Sequence, residues 1–380
     1  YILGFLNSTV SQKCIKILNP TITTQVGDMA RIPVAFDSDK QPIVEKLVKE
    51  NISISQRDWD SFETSWGFKK HPLINGESLI SAAFKRWEKE CAERFERLKQ
   101  NEIEINKIFI ELYGLEEEMS PAVLDKDVEA SCHHADLARE IKSLISYAVG
   151  CMFGRYSLDK EGLIFAGSNW SDSNYITFIP DSDNILPICD DEYFEDDIVG
   201  KFIQFIATVF GEDSLEENLI YIASALDGKN GSAKDVIREY FMSDKGFYSE
   251  HCNKYSVSGS GKRPIYWMFD SGKKNGFKCL IYMHRYQPDT IARLRTDYVH
   301  EQQARYRTAI ADLETRIANA STSERVKLNK QLKTLNDQAT EIHEYEEKIH
   351  HLADQMISID LDDGVKKNYE IFKDVLVKIK

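Results

Sequence analysis

The sequence predicts an α+β fold, predominantly helical: helical domains, a small β-hairpin region and a long antiparallel helical hairpin. Three observations carry that expectation. Apolar residues recur at alternating steps of four and three in Tyr306, Ile310, Leu313, Ile317 and Ala320, and again in Leu328, Leu332, Leu335, Ala339, Ile342, Ile349 and Met356. That period keeps one face of a helix apolar. A break at Ala320–Glu324, where Ser321 and Glu324 have capping-box spacing, predicts two long helices folded back as a coiled coil. Secondly, the β-rich run Ile265–Phe269 and the return run Phe277–Met283 flank a turn, Ser271–Gly276, that ends in Asn275-Gly276, a hairpin signal. Thirdly, the 380 residues are 42% hydrophobic and 11% aromatic, enough to bury a core and unlike a disordered chain.

The elements follow in chain order. Residues 1–36 read as the tail of an α/β segment: Leu3, Leu6, Val10, Ile15 and Leu18 fall near helical spacing, and Thr21–Ile32 reads as a turn and a short extended piece. The first residue is Tyr with the apolar pattern already running, which predicts that the natural chain continues upstream. Residues 37–120 form a helical domain. Ser55 is placed to cap a helix beginning near Asp58, Trp59, Phe62 and Trp66 share a face, and a long helix runs from about Leu79 to Tyr113 with Gly114 as its C-terminal cap. Residues 121–250 form a mixed, mostly helical domain. Its helices lie near Asp136–Phe153, Asp196–Phe210, Leu215–Leu226 and Ala233–Phe241, with loops around short strands over Gly162–Pro187. The basic β-hairpin occupies 251–288, the helical hairpin 289–357 and a C-terminal segment 358–380.

Charge is unevenly spread. The net charge is −14, which taken alone argues against a nucleic-acid partner. Yet Asp181–Asp227 holds thirteen acidic residues and one Lys, whereas Lys254–Arg307 holds eleven Lys and Arg against four acids. Seven cysteines are scattered without a Cys-x-x-Cys pair, which predicts reduced thiols and a cytoplasmic protein. Cys132-His133-His134 lacks a second ligand pair at zinc spacing and reads as a polar connector. No apolar run approaches the ~20 residues of a membrane helix, so no membrane partner is expected.

Catalytic signatures are missing. Transfer of a methyl group to an exocyclic amine of a flipped base uses a (Asp/Asn/Ser)-Pro-Pro-aromatic tetrapeptide, whose polar groups hold the amine while the ring stacks on the base. The sequence has no Pro-Pro dipeptide, and Asn19-Pro20-Thr21-Ile22 lacks the second proline and the ring. Gly259-Ser260-Gly261-Lys262 fails the Walker pattern, with Ser256 at the first glycine position and Arg263 after the lysine. Asp360–Gly364 resembles the start of a calcium loop, but Lys366 and Lys367 follow, and a capped turn is expected. The expected catalytic, cofactor and metal sets are therefore empty. The strongest functional signal is the basic hairpin: Lys262, Arg263, Lys273, Lys274 and Lys278 around a turn, followed by His284, Arg285, Arg293 and Arg295, with Tyr266 and Trp267 interleaved. Lysines at a turn suit phosphate contact, and arginines read guanine in the major groove, so double-stranded DNA is the expected partner. A solvated turn over core aromatics is the structural alternative.

Several strings taken together resemble one family. Leu3–Ser8, Asn19–Thr21 and Gln25–Pro33 are similar to the segment that closes the catalytic domain in large bacterial adenine methyltransferases. Asp58–Trp66, Leu144–Tyr156, Arg263–Trp267 and Asp360–Tyr369 resemble BREX methyltransferases, the PglX family, in the expected order over nearly the whole chain. The resemblance implies a C-terminal, DNA-recognition region of an enzyme that methylates adenine N6 in a short host sequence with S-adenosylmethionine and so marks self DNA in phage defence. It implies no cofactor in this chain, which is expected to be inactive alone, and it carries over no catalytic residue. The rival expectation is a scaffold, in which Asp190–Asp197 and the helical hairpin dock other BREX subunits without DNA contact.

Overall fold

Apolar residues at helical spacing dominate the first 140 positions, and the computed structural model puts them in helices. The structure describes residues 1–380 apart from 22, 191, 227–230, 259–260 and 380, so Gly259 and Ser260 of the glycine-rich string lie outside the described residues. The chain divides into two compact units, Tyr1–Asn75 with Ala82–Glu140, and Gly76–Ser81 with Ile141–Lys380. The fold is predominantly helical α+β, as the periodicity predicts.

In the first unit, helices Ile2–Asn7 and Thr9–Leu18 are separated by Ser8, whose side chain caps the second through the Ser11 amide. Phe5 packs edge-on against Phe109 at 5.3 Å, and Val44, Val48 and Ile105 complete this core. Gly4 permits the approach: a Cβ there would lie 2.8 Å from Val48 Cγ2. Two local expectations are corrected. Val26–Met29 is a helical turn closed by a Gln25/Asp28 capping box rather than an extended piece. The helix assigned to begin near Asp58 instead runs Gln41–Trp59 and ends there. Proline in its first turn and the buried Val44 and Val48 start it early, which leaves Ser55 in its interior. The long helix Ile80–Leu112 and the left-handed Gly114 after it, φ 61°, match the sequence. Buried Asp58 accepts hydrogen bonds from the His133 amide, 3.2 Å, and the His133 ring, 2.7 Å, so the connector 132–134 is anchored.

The second unit is built on a three-stranded antiparallel sheet in the order β1 (Ile185–Pro187), β5 (Lys278–Tyr282), β4 (Tyr266–Asp270). Central β5 is buried at every residue, with Ile281 opposite both Ile185 and Trp267. The small ribbon β2 (Ser256–Val257) and β3 (Gly261–Lys262) lies between β1 and β4 in the chain. Val377 donates to the Met268 carbonyl, so the C-terminal segment covers the outer edge of β4, as an exposed strand edge requires. Asp360 caps the turn Leu361–Asp363, as expected. The helical hairpin forms as predicted, His300–Asn319 and Thr322–Ala353. Ser321 starts the second helix, but its side chain makes no cap bond, so the expected capping box is not formed. The stretch before it, Leu294–Val299, is wound as a π-helix. Tyr306 and Tyr345 lie in the core and donate to the carbonyls of Gly276, 3.0 Å, and Val375, 2.9 Å, which ties the hairpin to the sheet region.

Two polar clusters are enclosed in this unit. Asp197 is 1% exposed, caps helix Ile198–Phe210 through Val199 and Gly200, and pairs with Arg238 at 2.9 Å. Removing one partner of such a pair strands a charge away from water. Asp197→Ala is therefore expected to destabilise the protein by ~3–5 kcal/mol, read as a fall in the urea midpoint. Asp181 accepts from the amides of Asp183, Asn184 and Ile185. Burial, then the neighbouring Asp183, pushes its carboxyl up to about 7. The folded state thus favours the protonated form, so this contribution to stability is full below the ordinary carboxylate range and is lost as pH rises through about 7. Asp181→Asn is expected to flatten the decline in stability between pH 4 and 7, measured as urea midpoints across that range.

Candidate nucleic-acid interface

Antiparallel pairing decides where the nine candidate cations go. Tyr266 pairs with Tyr282 at one end of the ribbon and Asp270 with Lys278 at the other. Four steps of ~3.3 Å separate those ends by roughly 13 Å. Lys262 and Arg263 come just before Tyr266 and His284 and Arg285 just after Tyr282, at the first end, whereas Lys273 and Lys274 sit in the turn at the second. The run Lys262–Lys278, grouped around one turn in the sequence, therefore occupies two places.

Most of these side chains are committed within the chain. Lys278 is 4% exposed, donates to the Met242 carbonyl at 3.0 Å and lies 3.7 Å from Asp270. Lys274 pairs with Asp337 at 2.8 Å, Arg293 with Asp289 at 2.7 Å, and Arg295 with Glu346 at 2.6 Å. Arg285 donates to the Asp181 carbonyl at 2.8 Å and the Ser182 carbonyl at 3.2 Å, and stacks over Trp170 at 4.3 Å. Burial, then Arg155, holds His284 down to about 4, so it is neutral near pH 7. Tyr266 and Trp267 are fully buried, which removes them as stacking surfaces for bases. Lys262, Arg263 and Lys273 make no ion pair among the described residues; Arg263 and Lys273 are exposed and Lys262 is half-buried.

The acidic stretch is likewise engaged. Asp190 accepts from Gln338 at 2.9 Å, and Asp197 holds Arg238. Asp181, Asp183 and Asp196 bring oxygens within 4.8 Å of one another. The Tyr298 hydroxyl donates to Asp183 and Asp196, and backbone amides occupy Asp181.

A second basic place, in the first unit, was not singled out by sequence reasoning. Helix Gln41–Trp59, the turns that follow it and helix Ile80–Leu112 enclose a cleft of about 550 Å³ lined by Arg57, Lys69, Lys70, Arg86 and Arg94, with Asp60 and Glu90 as its acids. Trp87 lines it too, and Trp59 and Trp66 are exposed beside it in sequence, Trp66 completely so. The signal was present: three of the chain's five tryptophans fall between positions 59 and 87, among these cations.

No family model matches the chain. Two curated proteins do. It is 42% identical over 378 residues, 97% of this chain, to adenine-specific methyltransferase PglX of Lacticaseibacillus casei (strain Zhang). It is 36% identical over its whole length to adenine-specific methyltransferase BrxX of Escherichia coli O9:H4 (strain HS). The chain spans only 31% and 33% of those relatives' own lengths. Among the described residues no helix is long and apolar enough to cross a membrane. Along its whole length the chain is thus similar to a segment, about a third, of the PglX/BrxX adenine-specific methyltransferases.

Proposed function

We propose that this chain is the C-terminal DNA-recognition region of a site-specific adenine-N6 DNA methyltransferase of a bacterial BREX phage-defence system. The observation that carries the reading is the similarity of the entire chain to adenine-specific methyltransferases. The missing Pro-Pro tetrapeptide fits a region that positions DNA while the rest of the enzyme binds S-adenosylmethionine and transfers the methyl group. Of the hairpin cations, Lys262, Arg263 and Lys273 are the ones free to meet phosphate. Placed at two ends of a ribbon, they suit backbone contact and register rather than reading of base edges.

A second reading, a scaffold that docks other BREX subunits, is favoured for the helical hairpin. Residues 319–327 at its bend are almost all exposed, and Lys274 and Arg295 are neutralised by its own carboxylates. Both roles suit different faces of one chain.

Replacement of Lys262, Arg263 and Lys273 by Glu is expected to weaken duplex binding on every sequence tested. It is also expected to reduce the slope of log affinity against log salt by about 2–3, because each phosphate contact releases roughly one counterion. An unchanged slope would place the DNA contacts elsewhere and leave this face to protein partners.

A further inference from the structure

Arg94 lies on helix Ile80–Leu112, on the wall of the cleft described above. It is 8% exposed, yet no carboxylate lies within ion-pair distance of it among the described residues. Its guanidinium stacks over Trp87 at 4.6 Å and donates through Nη2 to Cys91 Sγ at 3.2 Å. That sulfur is no counter-charge, because burial pushes the Cys91 thiol up to about 12 and keeps it neutral. Cys132, the other nearby thiol, is pushed up to about 11 by the same cause. Arg94 Nε has no acceptor, and neither has the indole N–H of Trp87, itself 8% exposed. Both residues line the 550 Å³ cleft, as do Arg57 and Lys70, which make no ion pair among the described residues. Arg86 is matched by Glu90 at 3.3 Å, and the acid Asp60 accepts from Ser65.

A buried charge without a partner costs several kcal/mol unless something completes it. Two unsatisfied buried donors beside free cations, in a cleft open to solvent, have the chemistry of an oxyanion site. We propose that this cleft binds a phosphate group, and that in the working protein the phosphate is one in the backbone of the DNA duplex. Arg94 and Trp87 supply the fixed donors, and Arg57 and Lys70 supply charge at the rim. The assignment of DNA as the source rests on the recognition role proposed above; the oxyanion chemistry does not. The completely exposed Trp66, one residue before Gly67 of the cleft wall, would then stand where a nucleic acid passes.

The test uses the 380-residue chain, a short fluorescein-labelled duplex read by anisotropy, and inorganic phosphate read by calorimetry. Two variants are compared with the parent, Arg94→Met and Lys70→Gln. Each is expected to weaken duplex binding, Arg94→Met by about tenfold or more and Lys70→Gln by less. Arg94→Met removes an unmatched buried charge, so its melting temperature should equal or exceed the parent's; a role in packing alone would lower it. Lys70→Gln is a surface change and keeps the test open if Arg94→Met fails to fold. Parent and variants binding the duplex equally would overturn the pocket and leave DNA recognition standing. Phosphate bound by the parent and lost in the variants, with no duplex binding, would keep the oxyanion site, transfer it to free phosphate compounds and sink the recognition role. No binding of either would overturn both.

Discussion

A cation withdrawn from water needs an anion or a full set of acceptors, and this requirement organises the molecule. Arg238 is enclosed because Asp197 is enclosed with it, and Asp197 in turn fixes the start of helix Ile198–Phe210. Lys278 sits inside central strand β5 because Asp270 and the Met242 carbonyl meet it there. Arg285 is held by carbonyls of the segment that leads into β1 and by the face of Trp170. Each of these contacts spends a positive charge on holding the chain together. A partner is met by the cations that the fold does not consume.

That subtraction explains how a chain of net charge −14 is compatible with a DNA-binding role. The basic bias of residues 254–307 is real in composition, but much of it is internal bookkeeping. Among the described residues, the candidate contact cations that make no ion pair are Lys262, Arg263 and Lys273 near the β-ribbon, and Arg57, Lys70 and Arg94 around the cleft of the first unit. Phosphate contacts need only isolated donors at the right places, whereas a continuous positive groove would be required for sequence-independent gripping over a long footprint.

Much of the architecture was legible because it rests on period. The four-three repeat from Tyr306 to Met356 gave both arms of the helical hairpin, and the β-rich runs flanking Asn275-Gly276 placed β4 and β5 within a residue or two. Failures came where a side chain's local preference competed with a longer signal. Ser55 is a good cap by type, but Pro42 and the Val44–Val48 face had already started the helix. The candidate site was less legible than the fold. A lysine in a turn and a lysine at the first position of a strand look alike in sequence, and only the pleat shows that Lys278 points inward while Lys273 stays exposed. The cleft was missed for the converse reason: Arg57, Lys70 and Arg94 are tens of residues apart and meet only when two helices and a turn fold together.

The central claim, that DNA is met by the cations the fold leaves unmatched, is tested most directly by hydrogen exchange of the backbone amides with and without saturating duplex DNA. The account predicts slowed exchange in two stretches, residues 53–94 and 256–275, with the helical hairpin 300–353 unaffected. Slowing confined to that hairpin, or exchange in 53–94 indifferent to bound DNA, would contradict it.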